Sequence, residues 1–113
     1  MNIQIFGTKK SFDSKKAERY FKERGIKYQF VDMKEKGLSK GEFNSVCQAV
    51  GGYEKLIDSK CKDKNLLALI QYLSEEDKKE KILENQEIIR TPIVRNGKQA
   101  TVGYEPDVWK SWQ

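Results

Sequence analysis

The first thirty-three residues limit the fold more than any other stretch of the chain. Ile3-Gln4-Ile5-Phe6 is a short apolar run that reads as a buried strand. Residues 11–24 follow as a helix, because Ala17, Tyr20, Phe21 and the stem of Arg24 fall at i, i+3, i+4 and i+7 on one face. Gly25 stands where a helix C-cap is needed. Lys27 to Met33 then alternates polar and apolar, a strand that packs Tyr28, Phe30 or Val31, and Met33. A strand, a helix and a second strand joined this closely make a parallel pair with a right-handed crossover.

The middle of the chain is helical. Ser39-Lys40-Gly41-Glu42 has the spacing of a capping box, with Phe43, Val46, Cys47 and Val50 on the face that follows. Gly51-Gly52 ends that helix, and Tyr53 to Ile57 reads as a short apolar-bearing turn or helix. Leu66 to Leu73 is the most apolar stretch and is expected in a core. Ser74 to Asp77 again has capping-box spacing and leads a helix to about Asn85.

The end changes character. Arg90-Thr91-Pro92-Ile93-Val94 reads as a strand entered through proline, Asn96-Gly97 signals a hairpin, and Gln99 to Gly103 is the return strand. Glu105 to Trp112 is a closing helix with Pro106 near its first position and Trp109 and Trp112 facing the sheet. A βαβ half joined to a ββα half, with an X-Pro before the third strand, is the layout of an α/β, thioredoxin-like fold. It predicts a four-stranded mixed sheet in one domain over residues 1–113, with a helical insertion across about 34–89. In that sheet the start of the first helix meets the loop before the third strand. Ser11 and Thr91-Pro92 are then neighbours.

Composition narrows the chemistry. Of 113 residues, 35% are charged and the net charge is +5, yet lysines and glutamates interleave, as a solvated surface does. No aromatic-basic signature of nucleic-acid binding is present. No apolar run reaches the ~18–20 residues of a membrane span, and no signal-peptide pattern opens the chain, so a cytoplasmic protein is expected. There is no histidine, which removes every Ser-His and Cys-His pair. Two cysteines, Cys47 and Cys61, cannot build a four-thiolate or mixed zinc site and are not spaced as CxxC, so no metal is expected. Cys47 shares a face with Phe43 and Val50 and reads as packed; Cys61, in Lys60-Cys61-Lys62, reads as a surface thiol.

The most suggestive local feature lies at the start of the first helix. Lys9, Lys10, Lys15 and Lys16 surround Ser11 and Ser14 there. Cations and a helix N-terminus stabilise a thiolate, but this one holds no cysteine. Serine ionises far above neutral pH, and with no histidine to take its proton the ordinary role of Ser11 or Asp13 is an N-cap.

Three segments together resemble the ArsC/Spx group of thioredoxin-fold proteins over essentially the whole chain. They are "IQIFGTKKSFDSKKAERYFKERGI", the middle helices, and "RTPIVRNGKQATVGYEPDVW". The resemblance implies arsenate reductase-like chemistry, in which a low-pKa cysteine attacks arsenate and glutathione or another thiol resolves the product. It also admits a regulator of the Spx type, which binds RNA polymerase. Ser11 falls at the family's nucleophilic cysteine and Ser14 at the second cysteine of Spx-type members. Lys10 and Lys15 would flank an oxyanion. Lys60 falls near an anion-binding arginine, and Arg90 and Thr91 precede Pro92, which matches the cis-proline. Gly103-Tyr104 stands in place of the last family arginine. The implied ligand is a small oxyanion or thiol, with glutathione as co-substrate. Reductase activity is expected to be absent or crippled with serine at residue 11.

Overall fold

The computed structural model describes residues 1–112. Strand β1 (Ile3–Gly7) runs into helix α1 (Phe12–Glu23) and returns as β2 (Tyr28–Asp32). Helices α2 (Lys40–Val50), α3 (Lys64–Gln71) and α4 (Glu75–Glu84) follow, with short 3-10 turns at Tyr53–Leu56 and Gln86–Ile88. Strands β3 (Ile93–Asn96) and β4 (Gln99–Val102) and helix α5 (Pro106–Ser111) complete the chain. The sheet order is β2-β1-β3-β4; β1 pairs parallel with β2 and antiparallel with β3, and β3 pairs antiparallel with β4. This is the mixed α/β sheet of the thioredoxin-like layout.

Alternation along the central strands divides the core in two. Ile3 and Ile5 face α1 and α5, where they meet Phe21, Val94 and Trp109. Phe6 and Ile93 face the other way, under Phe43, Val46, Leu56 and Ile82 of the helical segment. Trp109 is fully buried and its indole N–H donates to Thr101 Oγ1 at 2.7 Å, so the closing helix is both packed and hydrogen-bonded to β4. Trp112 is half-buried against the same cluster.

Local chemistry sets the element ends. Ser39 and Glu42 form the reciprocal capping box of α2, with Ser39 N–H donating to Glu42 Oε1 at 2.9 Å. The other carboxylate oxygen of Glu42 lies 3.7 Å from the guanidinium of Arg95, which donates to Gln4 Oε1 at 2.9 Å. One glutamate thereby caps α2 and ties it to β1 and β3. Helix α1 ends at Arg24, with Gly25 following at φ +66°.

Three expectations change. Leu66 and Ile70 are buried, but Leu69 and Tyr72 of the same apolar stretch are exposed. The hairpin turn is Gly97-Lys98 rather than Asn96-Gly97, because Asn96 pairs with Gln99. Among the described residues only glycines have positive φ, so Gly97 occupies the first central position of the turn and Lys98 stays at negative φ, the arrangement of a type II′ turn. Strand β3 begins at Ile93, and Arg90 to Pro92 form the loop before it. Among the described residues no helix is long and apolar enough to cross a membrane.

Candidate functional site

Strand β1 ends at Gly7 because the chain must turn closely over Ser14 of α1. A Cβ on Gly7 would strike the Ser14 hydroxyl and lie 2.8 Å from its Cβ. Ser14 is fully buried, and its Oγ accepts the Thr8 N–H at 3.2 Å. It serves to lock the turn and does not reach solvent. Ser11 is the N-cap of α1, with extended φ −78° and ψ 125°, and its Oγ accepts the Ser14 N–H at 3.2 Å. Asp13 stands in the first turn instead, where its charge complements the helix dipole.

The loop before β3 reaches this helix start. Thr91-Pro92 is cis, as the resemblance implies, and Pro92 is buried. Its carbonyl accepts the Gly103 N–H at 2.8 Å. An isolated antiparallel bridge, Ile57 to Ile89, ties the helical segment to the same loop. Asp58 N–H donates to Ile88 O and Arg90 N–H to Leu56 O, each at 2.7 Å. That bridge carries Asp58, Ser59 and Lys60 to the start of α1. Asp58 then shapes the loop, its Oδ1 accepting the Lys60 N–H at 2.9 Å.

The result is an open cavity of about 450 Å³ lined by Ser11, Asp13, Ile57, Asp58, Ser59, Lys60, Arg90 and Thr91. Four residues singled out in the sequence therefore converge: Ser11, Lys60, Arg90 and Thr91. Lys10 is exposed on the turn before α1 and does not line this cavity. Lys15 lies along a separate groove with Glu18, Arg19 and Tyr28. Ser14 and Pro92 sit beneath the surface.

Asp58 and Ser59 escape sequence reasoning, since only the Ile57–Ile89 bridge brings them in. Gly103 has a further role. At φ +83° it is strained for any residue with a side chain, and a Cβ there would lie 3.3 Å from the Arg90 guanidinium. The bare backbone leaves room for that cation.

The cavity sets the cations Lys60 and Arg90 beside the carboxylates of Asp13 and Asp58, the hydroxyls of Ser11, Ser59 and Thr91 and the start of a helix; its cations, hydroxyls and helix start are groups that can hold a small anion. Neither cysteine lines it. Cys47 is buried, and burial pushes its thiol above the usual range. Cys61 is half-buried against the helical side of the core. Among the described residues no cluster of three or more histidine, cysteine, aspartate or glutamate side chains could hold a metal.

Solved structures share this architecture. A Bacteroides fragilis protein provisionally assigned as ArsC-family-related superposes with a TM-score of 0.87 at 17% identity, over 100% of this chain and 98% of its own. An arsenate reductase from Vibrio cholerae gives 0.79 at 22% identity, over 98% and 97%. An arsenate reductase (ArsC) related protein from Brucella melitensis gives 0.65 at 21%, over 99% and 94%. At these identities the likeness speaks for the fold alone. No curated protein matches the chain significantly by sequence. The ArsC family model matches residues 6–112, which takes in both the Ser11 turn and the Thr91-Pro92 loop, and the chain belongs to the ArsC family.

Proposed function

We propose that this chain is an oxyanion-binding member of a thiol-dependent reductase lineage whose own turnover is lost with serine at residue 11. The observation that carries the reading is the convergence of Ser11, Lys60, Arg90 and Thr91 on one cavity that no thiol lines. Lys60 and Arg90 supply positive charge against the carboxylates of Asp13 and Asp58, the start of α1 adds its dipole, and the loop at Thr91-Pro92 closes the edge. A cysteine thiol at residue 11 starts near pKa 8.5 and needs only a few units of help to ionise. The same field leaves a serine hydroxyl protonated, and Ser11 already holds the Ser14 N–H. Glutathione is the natural second thiol for such a site.

The test compares this protein with Ser11→Cys in glutathione-dependent reduction of arsenate and of a small disulfide. The variant is expected to gain activity, with a thiol that titrates well below ~8.5, while the parent stays inert. An inert variant with an ordinary thiol pKa would overturn the reductase lineage for this site. The absence of a thiol at the cavity also favours a second reading, protein binding without chemistry as in Spx-type regulators of RNA polymerase. Recovery of a stable polymerase complex alongside an inert Ser11→Cys would select it.

A further inference from the structure

We propose that α3 is the contact element of a weak two-fold homodimer in which two copies pair through antiparallel α3 helices. Helix α3 (Lys64–Gln71) and its C-cap Tyr72 carry apolar side chains on two sides. Leu66 and Ile70 point into the core. Asn65, Ala68, Leu69 and Tyr72 form a second stripe at i, i+3, i+4 and i+7, and all four are exposed. Leu69 is 46% exposed and Tyr72 86%. From Asn65 to Ser74 there is no charged residue, in a chain that is 35% charged.

The charges at the two ends of this stripe select its partner. Lys62 and Lys64 flank the start of α3, the Lys64 ammonium donating to Ser59 O at 3.0 Å. Asp63, between them, commits its carboxylate to the helix as N-cap, accepting the Leu66 N–H at 3.0 Å. Beyond the far end, Glu76 and Asp77 stand in the first turn of α4 beside Glu75, whose carboxylate accepts from the Tyr53 hydroxyl at 3.1 Å. The pattern is positive, apolar, negative. A second copy turned end for end presents the matching pattern, with lysines on carboxylates at both ends. Parallel pairing would set like charges together. A two-fold axis places the same patch on both partners, so complementarity of the patch with its own reverse is what such a dimer needs. The small Ala68 side chain lies near the axis and lets the helices approach. An eight-residue helix spans only ~12 Å, and the area falls short of the ~1,000 Å² of a stable interface. Association is therefore weak and rises with concentration.

Sedimentation from about 20 μM to about 1 mM, the range of a small interface, is expected to show a monomer–dimer equilibrium that salt weakens. Tyr72→Ser is expected to raise the dimer dissociation constant by ~10-fold or more, as loss of an interface aromatic does. Tyr104→Ser, another exposed aromatic, is expected to leave it unchanged. Geometry is read by mild oxidation in a Cys61→Ser background. Ala68→Cys is expected to link to itself, and Asn65→Cys to link to Tyr72→Cys of a second molecule but not to itself. A chain that stays monomeric throughout overturns the proposal and leaves this face to a different protein. Self-linking of Asn65→Cys overturns it as well, because the helices would then be parallel.

Discussion

Two serines three residues apart have opposite fates at the start of α1. Ser11 faces the cavity and caps the helix; Ser14 is buried beneath it with its hydroxyl turned back to Thr8. The difference follows from the helix, which carries position 14 round toward β1 while position 11 stays at the rim. Ser14→Ala is expected to leave the Thr8 N–H without its partner and cost about 1–2 kcal/mol, seen as a lower urea midpoint. A variant as stable as the parent would show that the turn finds another acceptor. Gly7 explains why the position admits no larger group: the backbone of β1 already rests on Ser14.

At the level of elements, the parts written in local patterns were legible. The 3.6-residue spacing of Ala17, Tyr20 and Phe21 marks α1, the Ser39–Glu42 spacing marks α2, and Asn96-Gly97 announces a hairpin even though the turn falls one residue later. The approach of Lys60 to Arg90 was not legible as geometry. It rests on one bridge between Ile57 and Ile89, thirty-two positions apart, which has no periodicity of its own. The apolar run 66–73 misled for a related reason: a helix with apolar side chains on two sides looks fully buried in sequence, whereas the fold covers only the Leu66–Ile70 side.

The turn after α2 makes a prediction at this same scale. Tyr53 is buried and donates to Glu75 at the head of α4; burial first, then that carboxylate, pushes its phenol up to about 12 from 10.0. The unfolded chain therefore loses this proton before the folded one. The contribution is intact below pH 10 and is lost as pH rises toward 12. Tyr53→Phe is expected to lose about 1 kcal/mol at neutral pH yet to decline less between pH 10 and 12. Parallel alkaline denaturation curves for the two proteins would contradict this account.

Taken as a whole molecule, the protein hangs both cations of its cavity from one small clasp. Arg90 follows Ile89 on one side of the bridge, and Lys60 lies three positions past Ile57 on the other. Between them run α3 and α4, which enter the sheet's core only from that side. The consequence is one of thermodynamic linkage. On the proposed reading, an anion held jointly by Lys60 and Arg90 favours the closed clasp, and by reciprocity a closed clasp raises affinity for the anion. Saturating inorganic phosphate is expected to slow hydrogen exchange at the Asp58 and Arg90 amides, which donate across the bridge, more than at amides of β4. Equal slowing everywhere would mean that the ligand stabilises only the global fold. The helical segment thereby acts as a reporter: whether the cavity is filled is written into how often its two ends part.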